Sequence, residues 1–227
     1  MEYGSLHDVL RNDSVSATGE ILLQILRDVT HGLRYLHASK PPILHGDLKA
    51  KNILIDSRFR AKIGDFGLSA KKKKKGGLCG TPYFMAPEYL RGKNEFSCSC
   101  DVYSFAIMLY ECYSRQDPYT GENPHEVLKN VCDPRKNKRP EIPTVCPPKI
   151  IDVMKKCWSP DPSSRPQAQD LDAMFSRMNI QEVEPIVAMQ EIKPKPKNIS
   201  KDVSLGMIIQ MAAFFSSASF RLIICFR

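Results

Sequence analysis

The sequence predicts a mainly helical α+β fold with one short β-hairpin pair, and three observations carry that reading. Residues 17–38, ATGEILLQILRDVTHGLRYLHA, place Leu22, Ile25, Leu26, Val29, Leu33 and Leu36 at helical spacing, which gives one buried face. Two apolar runs, Ile53 to Ile55 and Ala61 to Ile63, are too short for helices and read as small strands. Residues 101–113 are apolar nearly all round, as a helix at the centre of a core must be.

The remaining elements follow in order. Gly32 costs the first helix about 1 kcal/mol relative to alanine, so a neighbouring element is expected to approach it closely. After the second strand comes GDFGLSAKKKKKGGLCGTPYFMAPEYL, rich in glycine and lysine and poor in periodicity, which reads as a long surface loop of the functional kind. Asn123 before Pro124 reads as an N-cap with proline at the first helical position, and residues 148–158 and 166–178 are expected to form two more helices.

The folded body is expected over residues 1–180. From there the text changes to a linker rich in proline and lysine over 181–202, and then to a hydrophobic tail over 203–227. The uncharged stretch 203–220 is 18 residues long, just enough to span a membrane, yet it holds four serines and a glutamine. Two readings stay open for it: a membrane segment, or a docking helix or tail with no lipid contact.

Composition excludes several classes. At 227 residues, 42% hydrophobic and 26% charged, this is an ordinary folded chain and not a disordered one. The net charge of +8 is local, because Lys71, Lys72, Lys73, Lys74 and Lys75 form one run and Lys193, Lys195, Lys197 and Lys201 another. No nucleic-acid partner is expected. The penta-lysine run reads as a solvated face, with an attractant for acidic substrates or membrane phosphate as its sharper alternative. Eight scattered cysteines without a CxxC pair or secretory leader read as reduced thiols filling the core of a cytoplasmic protein.

The chemistry lies in ILHGDLKAKNILID, residues 43–56. Asp47 can take a hydroxyl proton, Lys49 two positions later can offset phosphate charge, and Asn52 offers an amide oxygen to a metal. Those are the parts that phosphoryl transfer needs. Asp65, 13 residues after Asn52, adds a second hard oxygen ligand suited to magnesium. Taken singly, each of these reads as a solvated loop residue, and Asp101 as a satisfied carboxylate in a core helix.

Five stretches reverse that reading together. HGDLKAKN, DFG, GTPYFMAPE, DVYSFAIMLYE and SSRP occur in an order and spacing that resemble the C-terminal lobe of eukaryotic protein kinases, over residues 1 to about 180. MEYGSLHDVL and CWSPDPSSRP resemble most the tyrosine-kinase-like group of serine/threonine kinases. The resemblance implies a protein-kinase-like fold, ATP and Mg2+ as cofactors, and protein serine and threonine hydroxyls as substrates. It implies Asp47 as catalytic base, Lys49 on the transferred phosphate, Asn52 and Asp65 on magnesium, and Leu54 under adenine. Thr81 is expected to bond Asp47 and Lys49, which with lysine at 49 implies a serine or threonine acceptor. His45 and Phe66 resemble members of a stacked apolar spine, Asp101 the anchor of the catalytic loop, and Glu88 with Arg165 a buried ion pair.

The match departs from the family in two respects. Gly46 stands where most of the family has an arginine that clamps a phosphorylated activation loop, so switching by loop phosphorylation is not expected. The 227 residues contain no GxGxxG loop and no lysine in a VAIK setting. Met1 stands three residues before Gly4, as a hinge methionine does in the family, so the N-terminal lobe is expected to be absent. The exposed face that should meet it is expected to be apolar. On this reading the chain is a fragment of a kinase with little activity of its own. The alternatives are an inert kinase lobe used as a binding or scaffold module, or a kinase-like regulator of another domain.

Overall fold

The computed structural model describes residues 2–15, 18–65, 80–92 and 96–186. In chain order the elements are β1 (Gly4–Ser5), α1 (Leu6–Leu10), α2 (Gly19–Ala38), β2 (Ile53–Ile55), β3 (Ala61–Ile63), α3 (Pro87–Leu90), α4 (Cys98–Ser114), α5 (Pro124–Cys132), α6 (Pro148–Cys157) and α7 (Ala168–Arg177). The chain divides into two units, Met1–Lys195 and Pro196–Arg227, and every described residue belongs to the first.

Because α4 has no polar stripe, it can be satisfied only at the centre, and every residue from Cys100 to Tyr113 is buried. It packs on α6, and its Phe105 meets Phe175 of α7 edge-on, with ring centroids 5.8 Å apart. The amphipathic α2 lies against α7 and β3. Its Gly32 marks the closest approach: a β-carbon there would stand 3.1 Å from Cδ1 of Ile63, which explains the helix-weakening residue.

Local signals hold at the helix starts. The Asn123 side chain caps α5 by accepting from the Glu126 N–H at 3.1 Å, with Pro124 at the first helical position. Ser5 and Asp8 form a reciprocal capping box on α1, a five-residue helix that sequence periodicity could not reveal.

Three expectations are corrected. The strand pair is part of a three-stranded antiparallel sheet, because Gly4 and Ser5 pair with Ile55 and Leu54. The segment before α4 is not all surface loop: Phe84 to Glu88 are buried, and Ser104 of α4 donates to the Phe84 carbonyl at 2.7 Å. The packed body also runs past 180. Val183 is fully buried, its carbonyl accepts from the Tyr113 hydroxyl at 2.8 Å, and the Glu184 carboxylate caps the Gly19 N–H at 2.7 Å. A short apolar residue and a helix-capping acid do this work inside a stretch whose composition reads as linker.

Among the described residues no helix is long and apolar enough to cross a membrane. The tail 203–227, the penta-lysine run and most of the expected linker lie outside the described residues.

Candidate active site

The loop between α2 and β2 carries the polar residues, and α4 holds it from below. Asp101, fully buried in the first turn of α4, accepts the backbone N–H groups of His45 at 2.9 Å and Gly46 at 2.8 Å. It also meets Nε2 of His37 at 3.0 Å. Ten residues along the same helix, about 15 Å by helical rise, Glu111 accepts the N–H of Ala50 at 2.9 Å. Two buried acids of one helix therefore fix both halves of the loop.

His45 ties the loop to the end of β3. Its Nδ1 accepts the Asp47 N–H at 3.2 Å, which leaves Nε2 to donate to the Gly64 carbonyl at 2.8 Å. Gly64 also donates its N–H to the Asn52 carbonyl at 2.8 Å. The residue before Asp65 is thus bonded to both ends of the polar cluster. Asp65 itself is exposed, with a left-handed backbone at φ +57°. Non-glycine residues held in this region gather at functional sites.

At the centre the Asp47 carboxylate is bonded on both oxygens. Oδ1 accepts the Thr81 N–H at 2.9 Å and the Thr81 hydroxyl at 2.8 Å. Oδ2 accepts the Asn52 amide at 3.1 Å and meets the Lys49 ammonium at 2.7 Å. Lys49 also donates to the Thr81 hydroxyl at 2.6 Å. Burial alone would push the Asp47 carboxyl up, but the hydrogen bonds from Lys49 and Thr81 and the Lys49 charge outweigh it and hold it below the usual carboxylate range. An ionised carboxylate is what a general base must be.

Closeness here depends on two glycines. Gly46 has φ +82° and Gly80 has φ +127°. A β-carbon on Gly80 would stand 2.8 Å from the Gly46 carbonyl oxygen. Without side chains, the two backbones approach until Thr81 reaches Asp47.

Leu54 is 39% exposed on the outer face of β2, between the inward Ile53 and Ile55. It is the large apolar side chain that the sheet exposes among the described residues. Glu88 and Arg165 form a separate bidentate pair at 2.6 and 2.8 Å, with the arginine side chain fully buried. Arg165 further donates to the carbonyls of Ser159 and Ser99. Phe66 lies outside the described residues.

Sequence reasoning missed His37, Glu111 and Gly80. Glu111 carried a signal, since an acid in an otherwise apolar helix must find a partner. The close approach of Gly80 carried none. Two surface grooves, one between α2 and the turn at Arg58 and Phe59, the other between the end of α4 and residues 141–145, do not reach the Asp47 cluster.

The Asn52 side chain has the chemistry to hold a magnesium ion. The Asn52 side-chain nitrogen donates to the Asp47 carbonyl at 2.7 Å as well as to its carboxylate, which leaves the amide oxygen for a hard cation. Among the described residues no group of three or more His, Cys, Asp or Glu side chains could hold a metal by itself. A site of one amide and one carboxylate completed by phosphate oxygens and water is how magnesium is usually held beside nucleotides.

A helical body, a small sheet and a carboxylate–lysine–asparagine loop of this geometry define a protein kinase domain. The family model described as protein tyrosine and serine/threonine kinase matches residues 1–175, and the chain belongs to that family. Among its relatives, "Probable serine/threonine-protein kinase drkB" of Dictyostelium discoideum is 40% identical over 168 residues, covering 73% of this chain and 24% of that protein. "Dual specificity protein kinase shkC" of the same organism is 37% identical over 175 residues, 74% of this chain and 34% of that one. "Serine/threonine/tyrosine-protein kinase HT1" of Arabidopsis thaliana is 31% identical over 225 residues, 96% of this chain and 56% of that one. The chain thus spans between a quarter and about half of the length of these relatives.

Proposed function

We propose that this chain carries the C-terminal, catalytic-loop half of a protein serine/threonine kinase, acting in the cytoplasm on protein hydroxyls. The observation that supports it most is the Asp47 carboxylate, held ionised between Lys49, Thr81 and Asn52. When bound, magnesium ATP supplies the phosphoryl group to be transferred.

In this reading Asp47 accepts the proton of the substrate hydroxyl, and the position of Thr81 sets how closely that hydroxyl approaches. Lys49 offsets charge at the transferred phosphate, Asn52 and Asp65 hold magnesium, and Leu54 lies under the adenine. The family's glycine-rich loop and strand lysine are not within the 227 residues. In the family those two elements contact the nucleotide from above, so the 227 residues by themselves are expected to bind ATP weakly and to transfer little. The six free cysteines among the described residues support a reducing compartment.

Relatives named for tyrosine as well as serine and threonine make tyrosine the alternative acceptor. A second reading, an inert lobe that binds partners, finds support in the exposed Leu54. Phosphate transfer to mixed serine, threonine and tyrosine peptides by the full-length protein separates these. Transfer to serine and threonine that Asp47→Asn abolishes is expected. Equal transfer by the variant sinks the enzyme reading, and transfer confined to tyrosine sinks the acceptor assignment.

A further inference from the structure

Residues 129–139, KNVCDPRKNKR, hold five cations and one acid in eleven positions. They form the end of α5 and the turn after it, and backbone bonds close that turn. The Asp133 carboxylate accepts the Arg135 N–H at 2.9 Å, and its carbonyl takes the N–H groups of Lys136 at 3.2 Å and Asn137 at 2.8 Å. The Lys138 N–H returns to the Asn130 carbonyl at 3.2 Å. Asn137 is held at φ +42°. The cations therefore stand on a fixed frame.

Several of these charges have a structural duty. Arg139 turns inward, donating from Nε to the Trp158 carbonyl at 3.0 Å with its guanidinium 5.1 Å from the centre of the Tyr103 ring. Arg91, at the end of α3, donates to the Cys132 carbonyl at 2.8 Å, and Lys129 lies in the last turn of α5. Both stabilise the negative end of that helix. Lys138 is balanced by Glu122 at 2.7 Å. The two residues between have no such duty. Arg135 is 93% exposed and stands 3.6 Å from the Asp133 carboxylate, while the exposed Lys136 donates to the neutral Asn130 side chain at 2.9 Å.

The turn adjoins the segment that carries Thr81. α3 packs on α5, and Tyr83, two residues after Thr81, meets Tyr119 with ring centroids 5.4 Å apart. Tyr119 in turn packs with Val127 and Val131 of α5. A protein whose hydroxyl reaches Asp47 thus has further chain within reach of α5. We propose that Arg135 and Lys136 form a docking surface for an acidic stretch of the acceptor protein, separate from the segment that bears the hydroxyl. The choice of the acceptor as partner rests on the kinase reading; the attraction for an acidic chain does not. Complementary charge at the rim of an interface speeds encounter and is screened by salt. Its effect is therefore expected in KM and not in kcat.

The first test measures binding of a fluorescein-labelled oligoglutamate peptide to the purified chain by anisotropy. Arg135→Glu with Lys136→Glu is expected to weaken binding about tenfold, more than Lys71→Gln through Lys75→Gln does. The milder pair Arg135→Gln with Lys136→Gln gives the same ranking if the charge reversal fails to fold. Binding that survives both pairs overturns the proposal. So does tighter binding to phosphatidylserine vesicles or to a DNA duplex than to the peptide, lost in the same variants. The second test gives the full-length protein two serine peptides, one with an oligoglutamate tail and one with an oligoglutamine tail. The acidic tail is expected to lower KM about tenfold at low salt, and the charge reversal to erase that difference without changing kcat for either peptide. A preference that persists in the variant overturns the proposal. Peptide binding without any transfer overturns the kinase reading, and with it the acceptor as the partner.

Discussion

The hydroxyl of Thr81 donates to the Asp47 carboxylate at 2.8 Å across 34 residues of chain, while accepting from Lys49 at 2.6 Å. One side chain therefore joins the base and the cation of the loop. Hydrogen bonds to charged groups contribute about 1.5 to 3 kcal/mol. In the full-length protein Thr81→Val is expected to lower the transfer rate roughly 10- to 100-fold. Because bonds from Lys49 and Thr81 hold the Asp47 carboxyl down against burial, losing one moves the acid limb of the pH–rate profile upward. An unshifted limb would show that Thr81 does not tune the base.

Glu88 and Arg165 are buried and bonded twice to each other. Removing one partner strands the other charge, at about 3 to 5 kcal/mol. Arg165→Met should lower the urea midpoint of the chain by that amount of stability. A loss under about 1 kcal/mol would mean that water or a neighbour takes over the Glu88 charge.

His37 and Glu111 give stability a pH dependence of definite sign. His37 is held above its ordinary 6.5, at about 9, so its contribution is complete below pH 6.5 and is lost as pH rises through 9. Burial pushes Glu111 from 4.5 up to about 7, despite the bond from Ala50, so its ionisation costs stability across that interval. Both slopes fall toward alkaline pH. Unfolding free energy from urea titrations should drop by on the order of 3 kcal/mol between pH 6.5 and 9, and His37→Asn should flatten that interval. A variant with the same slope as the parent removes His37 from the account.

Gly80 lets two backbones meet. Alanine there would place its β-carbon 2.8 Å from the Gly46 oxygen at a φ of +127°, so Thr81 must retreat. Gly80→Ala is expected to cost about 1 to 3 kcal/mol and to lower transfer by the full-length protein as Thr81→Val does. Unchanged stability and rate would show that the segment shifts freely.

Gly46 offers no side chain to grip a phosphate, and at φ +82° an arginine would be strained. Transfer by the full-length protein should survive phosphatase treatment of residues 68–81. Its abolition would show that a different cation reads a phosphate in that segment.

Much of this molecule was legible in the chain itself. Periodicity marked α2 and α4, Asn123 with Pro124 marked the start of α5, and two apolar runs marked β2 and β3 with the right bounds. Such signals are local, because a residue's own neighbours along the chain set helical spacing, capping and strand length. The composition of 43–56 likewise named Asp47, Lys49 and Asn52, and the motif order added Thr81. Tertiary structure decided what depends on residues far apart in sequence: the pairing of Gly4 with Ile55, the grip of Glu111 on Ala50, the meeting of Gly46 with Gly80, and the packing of Val183 beneath Tyr113. No local preference encodes these contacts. They exist because burying α4 brings its acids, and the segments around it, within hydrogen-bonding distance of groups that would otherwise lie buried and unpaired.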